Sequence, residues 1–250
     1  MKILYGVQGT GNGHISRANA MQEAFRAHPE LDITWLLSGR DKEQGCGAIE
    51  KFEWRRGLTF VTGDGGSIGS ELCRQIARFD PGRLVLYEHS EFALYRMEQE
   101  FAERHPQIRL ICVLGDVKNA AQVAEVMAAH RAQVVFHAAA YKHVPLIEQH
   151  DAAEAIQYNG LGTWRVAEAA IAHGGEKFVL VSTDKGANPN DVMSASKRLA
   201  EILCQGLQSK DSTRFVTVRL GKVLGSTSGL IQKFREQIAR GGPIIVSHTD

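Results

Sequence analysis

The chain has 250 residues, with 29 Lys and Arg against 28 Asp and Glu. That length can bury the core of one domain, or one and a half. The near balance of charge speaks against a nucleic-acid or membrane-surface partner. No apolar run of about 18 residues occurs, which speaks against a membrane span.

Apolar runs of strand length fall at residues 3–7, 33–37, 58–62, 84–87, 108–114, 134–138, 178–182, 215–220 and 244–247. Helix-like segments lie among them at 70–79, 120–129, 163–173 and 196–207. Buried β-rich runs alternating with helices predict an α/β fold, a doubly wound parallel sheet covered on both faces. The opening MKILYGVQGTGNGH reads as a strand and a glycine loop, not a signal peptide. Residues 1–41 form a strand–helix–strand unit, too little to bury a core alone. It must dock on the main sheet, pair with another chain or stay loosely held. A charged, glycine-punctuated connector at 41–57 follows, so the chain divides into 1–57 and 58–250. The cysteines Cys46, Cys73, Cys112 and Cys204 are scattered, with no C-x-x-C pair. They read as reduced thiols of a cytoplasmic protein. The histidines show no metal-ligand spacing, and no metal site is expected.

The strand at 58–62 runs into Gly63-Asp64-Gly65-Gly66-Ser67-Ile68-Gly69 and then a helix. In that context, Gly63, Gly66 and Gly69 allow a tight turn, a close pyrophosphate and close helix–strand packing, and Ser67 and Ile68 open the helix whose N–H groups face the phosphates. Glu88 ends the next strand, where a ribose hydroxyl is read, and its charge favours NAD over NADP. Asp116 and Val117 end the third strand, within reach of an adenine, although Asp116 reads equally well as the N-cap of the helix at 120–129. Ala138, Ala139 and Ala140 end the fourth strand and would let a cofactor lie against the backbone, or simply pack closely. Tyr141, Lys142 and His143 follow at the carboxyl edge, where ligands of open α/β sheets bind. Further on, Ser182, Thr183, Asp184 and Lys185 close a strand. Met193 and Lys197, four apart, share one helix face.

The segments TGDGGSIGSELCRQI, LYEHSEFALYRMEQE, VLGDV, VVFHAAAYKHVPLIE, KFVLVSTDK, NPNDVMSASKRLAE and FREQIARGGPI resemble the bacterial polysaccharide-biosynthesis nucleotide-sugar dehydratases. These are extended short-chain dehydrogenase/reductases, Rossmann-type proteins similar to UDP-N-acetylglucosamine 4,6-dehydratase. The resemblance covers about residues 58–250. It implies NAD as cofactor, a UDP-sugar substrate, and an internal redox cycle that removes water from the sugar. In short-chain dehydrogenases a tyrosine and a lysine lie beside the nicotinamide. Met193 holds the tyrosine position here and cannot exchange a proton, so acid and base must come from elsewhere. The resemblance implies that Thr183 binds the carbon-4 oxygen, Asp184 is the acid, Lys185 the base, and Lys197 holds the ribose. Lys142, His143, Asn159 and Lys222 would line the substrate site. It also implies helix-paired homodimers.

The chain departs from the family pattern at three places. Lys222 stands for a usual asparagine, Ser194 for a usual glycine, and Asp64 for a small or apolar residue. The family pattern runs on past Asp250 into a substrate lobe, so a truncated lobe is expected. Residues 1–60 resemble instead the start of a GT-B-type glycosyltransferase, with Gly9, Gly11, Gly13 and His14 in its first loop. Rival readings are an epimerase or reductase on the same scaffold, an inactive dinucleotide-binding module, and a glycosyltransferase fragment.

Overall fold

A computed structural model describes residues 2–8, 32–38, 57–142, 147–148, 152–208, 213–221, 223 and 230–243, the two first segments as backbone only. Strands β1 (Lys2–Gln8) and β2 (Asp32–Ser38) pair in parallel. They form a sheet of their own, and β1 lies beside the edge strand of the main sheet without joining its ladder.

The main sheet holds β3 (Leu58–Thr62), β4 (Arg83–Glu88), β5 (Leu110–Leu114), β6 (Val134–His137), β7 (Lys177–Thr183) and β8 (Arg214–Leu220). Its order is β5-β4-β3-β6-β7-β8 and every pairing is parallel. The strand order therefore reverses between β3 and β6, and a crevice opens there at the carboxyl ends, the usual ligand position in such sheets.

Alternation along each strand sends side chains to two cores. Phe60, Val85, Val135, Phe178 and Leu180 face one side, and Val61, Leu84, Leu86, Phe136 and Val179 face the other. Helices α1 (Ser67–Ala77) and α2 (Glu91–Arg104) cover the second side through Cys73, Ile76, Leu94, Met97 and Phe101. Helix α3 (Ala120–His130) helps cover the first. The short α4 (Ala152–Ala155) runs through a π-helical stretch, Ile156–Leu161, into α5 (Gly162–Ala172). Helices α5 and α6 (Val192–Gln208) complete that layer. Helix α7 (Leu230–Ala239) lies beyond β8 in sequence. Each fully buried Phe or Leu of these cores contributes about 2 kcal/mol.

Element bounds differ from the sequence expectation in detail. Helix α1 starts at Ser67, three residues before the expected 70, because the glycine loop feeds straight into its first turn. Helix α2 carries a narrow apolar stripe in a charged segment, so periodicity alone does not announce it. The strand expected at 244–247 lies outside the described residues, as does Cys46. The described thiols, Cys73, Cys112 and Cys204, are unbridged. Among the described residues no helix is long and apolar enough to cross a membrane.

Candidate functional site

The glycine loop after β3 and the alanines after β6 meet at the switch point. Gly63 has φ +71, and a Cβ there would stand 2.5 Å from the backbone nitrogen of Ala139. Only glycine permits both that dihedral and that approach. A Cβ on Gly69 would lie 2.0 Å from the carbonyl oxygen of Gly63, so this glycine seats α1 on β3. Gly66 is the N-cap of α1 and supplies no side-chain cap. Half-buried Ser67 and Ile68 begin α1 beside the exposed Gly65 and Gly66, and a helix start of this kind suits phosphate oxygens.

The acidic groups around this loop have separate tasks. Glu88 is buried at the end of β4. Its Oε2 accepts the Gly65 N–H at 3.0 Å and its Oε1 the Ser90 N–H at 3.0 Å. His89 Nδ1 lies 2.9 Å from the same Oε1. Asp64 is fully buried, and neither carboxyl oxygen makes a well-formed hydrogen bond among the described residues. Burial first and the Glu88 charge second push its carboxyl up to about 7, and the backbone amides of Asp64 and Tyr87 offset only part of that. Asp116 does not cap α3. That cap is Asn119, whose side chain accepts from the Gln122 N–H, while Asp116 Oδ1 accepts the Lys118 N–H at 2.8 Å. The Val117 side chain is buried against the Gly162 position, so Val117 can offer a ligand only its backbone.

Deeper in the crevice, Ala138 and Ala139 are held to Thr62 by backbone and side-chain bonds of 3.1 and 3.4 Å, and half-buried Ala140 continues the edge. His137, which its sequence context does not single out, is buried with Nδ1 2.8 Å from Thr62 Oγ1. Burial, with the charge of Lys197, drives its imidazole down to about 3, so it stays neutral.

At the end of β7, Thr183 Oγ1 donates to Asp184 Oδ1 at 3.1 Å, and that same oxygen accepts the Lys185 N–H at 2.8 Å. Asp184–Ala187 form a single tight 3-10 turn. Both Asp184 and Lys185 are exposed, and no ion pair joins them among the described residues. The residues that the resemblance implies as acid and base are therefore both open to solvent. Neighbours in a helical turn point apart, and Asp184 spends its carboxylate on the turn itself. Its other oxygen looks toward Gly221, where a Cβ would be 3.5 Å away.

Lys197 is 5% exposed on α6, one turn after half-buried Met193. Burial lowers its ammonium to about 8, with Cys204 and Glu201 opposing that fall. Asn159 lies at the root of the loop after β6. It is fully buried, and its carboxamide accepts from the Tyr141 N–H at 2.8 Å, donates to the Tyr141 carbonyl at 3.1 Å and donates to Ser196 Oγ at 2.9 Å. It braces the loop after β6. Lys142 is exposed at that loop, while His143 and Lys222 lie outside the described residues. Among the described residues no cluster of three or more His, Cys, Asp or Glu side chains is placed to hold a metal.

The sheet order, the glycine loop at its switch point and the buried lysine on α6 define a Rossmann-like protein with the fold of the extended short-chain dehydrogenase/reductases. Residues 59–250 match the family described as "Polysaccharide biosynthesis protein", and the chain belongs to that family. It is 44% identical over 216 residues to the capsular polysaccharide biosynthesis protein CapD of Staphylococcus aureus, covering 86% of this chain and 36% of that protein. It is 29% identical over 185 residues to an inverting UDP-N-acetylglucosamine 4,6-dehydratase of Campylobacter jejuni, covering 72% of this chain and 53% of the enzyme. Among solved structures, Pen from Bacillus thuringiensis superposes with a TM-score of 0.71 at 29% identity, over 78% of this chain and 61% of Pen. The chain thus spans between about a third and just over half of these two curated relatives.

Proposed function

We propose that the 58–250 region performs NAD-dependent dehydration of a UDP-N-acetylhexosamine in the building of a bacterial surface polysaccharide. The carrying observation is Lys197, a buried ammonium at the site with Met193 in place of a proton donor one turn before it. An enzyme built this way must take its acid and base from the end of β7, where Thr183, Asp184 and Lys185 lie.

The crevice fits a dinucleotide. Gly63 lets the loop close on the Ala139 backbone, Gly66 begins α1 with no side chain over its N-terminus, and Ala138–Ala140 keep the floor low. Glu88, by its charge at the ribose position, disfavours a 2′-phosphate and so favours NAD over NADP. Bound NAD supplies a hydride acceptor that returns the hydride within the same turnover. Lys197 holds the ribose, and its positive charge lowers the proton affinity of groups close by. Thr183 orients the carbon-4 oxygen through its hydroxyl. Lys185 takes the carbon-5 proton, and Asp184 gives a proton to the departing carbon-6 hydroxyl. Asp184 must enter that step protonated and Lys185 as the neutral amine. Closure of the sugar over the turn must supply the desolvation.

The experiment is mass spectrometry of UDP-N-acetylglucosamine after incubation with the protein and NAD. A nucleotide sugar lighter by one water, absent with Lys185→Ala, supports the reading. Unchanged mass with bound NAD points to a dinucleotide-binding module, and unchanged mass with altered stereochemistry to an epimerase.

A further inference from the structure

Glu201 is almost wholly buried, yet it collects four hydrogen bonds from three directions. Its Oε1 accepts Ser182 Oγ–H at 2.7 Å and Arg219 Nε–H at 2.9 Å. Its Oε2 accepts from Arg219 Nη2 at 2.6 Å and from Arg198 Nη1 at 2.9 Å. The carboxylate therefore joins the last turns of β7 and β8 to α6. Burial alone would raise its proton affinity, but the bonds from Arg219, Ser182 and Arg198 overcome that and hold it down at about 2, so it is ionised.

Its place matters more than its charge. Ser182 directly precedes Thr183, and Lys197 is one helical turn before Glu201 on the same face of α6. The turn that carries Asp184 and Lys185 rests on the carboxylate, because a Cβ on Gly186 would stand 3.1 Å from Glu201 Oε1. A bidentate arginine pair fixes orientation as well as distance, whereas an apolar side chain of similar size would fill the space without fixing either.

We propose that Glu201 is a positioning residue that sets the Thr183–Lys185 turn against Lys197. It touches no substrate and acts through Ser182 and the turn lying on it. The inference rests on the reading of that turn as catalytic, but the geometry it concerns can be tested without turnover.

The experiment measures amide hydrogen exchange with Glu201→Gln, which keeps the shape and loses the charge that holds two arginines. Ser182→Ala is the milder second variant, since it removes one bond and leaves the ion pairs. Exchange over residues 183–191 should accelerate about tenfold, with α1 and α3 unchanged and NAD affinity within about threefold. In the same samples kcat should fall about tenfold with KM little altered. Unchanged exchange over 183–191 in both variants would overturn the proposal. So would acceleration across the whole chain in both, which marks a residue that only stabilises the fold. If the unaltered protein shows no dehydration, the functional reading fails while the exchange pattern still decides the role of Glu201.

Discussion

The backbone N–H of Gly65 donates to Oε2 of Glu88 at 3.0 Å, tying the tip of the glycine loop to the end of β4. The carboxylate therefore shapes the loop as well as standing at the proposed ribose position. Glu88→Ala would strip both the Gly65 and Ser90 amides of their acceptor, and bonds to a charged group contribute about 1.5–3 kcal/mol each. NAD should bind at least about tenfold more weakly, while NADP, freed of repulsion, should lose less. Titration calorimetry with both dinucleotides checks this, and equal losses for the two would remove Glu88 from cofactor choice.

Asp64, next to that bond, is expected to destabilise the protein in a pH-dependent way. Its carboxyl is raised to about 7 in the folded state, well above its ordinary value of 3.8. Between those values the folded chain holds a proton that the unfolded chain has released. Stability from this group therefore falls as pH rises through the window and stays low above it. Three pH units correspond to roughly 4 kcal/mol at most. Asp64→Ala should raise Tm clearly at pH 8 and little at pH 4.5. An equal gain at both values, followed by scanning calorimetry, would show that ionisation is not the cause.

Gly69→Ala tests the seating of α1. The added Cβ would meet the Gly63 carbonyl oxygen at 2.0 Å, a backbone atom that no rotamer change can move aside. Helix and strand must separate, at a cost of about 3 kcal/mol. The urea midpoint should drop accordingly. A midpoint like that of the unaltered chain would mean that α1 can slide without loss.

Much of this arrangement is legible in the sequence because it is local. The strand β3 has the bounds its apolar run suggests, and the glycine spacing places the loop at its end. What the sequence does not show is non-local or depends on side-chain direction. Ser182, Glu201 and Arg219 lie 18 and 19 residues apart, and only the β7–α6–β8 crossover brings them together. Adjacent Asp184 and Lys185 suggest a pair on paper, but consecutive side chains in a tight turn diverge. Asn159 carries a polar group that could equally serve a ligand or the backbone. Its bonds to Tyr141 and Ser196 come from residues 18 and 37 positions away, which no local pattern displays.

Lys197 joins stability to activity in opposite senses. Its ammonium is lowered by burial to about 8 from an ordinary 10.5. Between those values the unfolded chain binds the proton that the folded chain has lost, so stability from this group rises with pH across the window. At pH 7 the folded protein holds a buried charge that costs roughly 3 kcal/mol relative to water. Lys197→Met should therefore raise Tm at pH 7 and much less at pH 10, while abolishing dehydration because no charge remains to hold the ribose. In the unaltered protein kcat should decline above about pH 8 as the ammonium loses its proton. A Tm that falls at pH 7 would mean that Lys197 gains more from its surroundings than burial takes away, and would reverse the sign argued here.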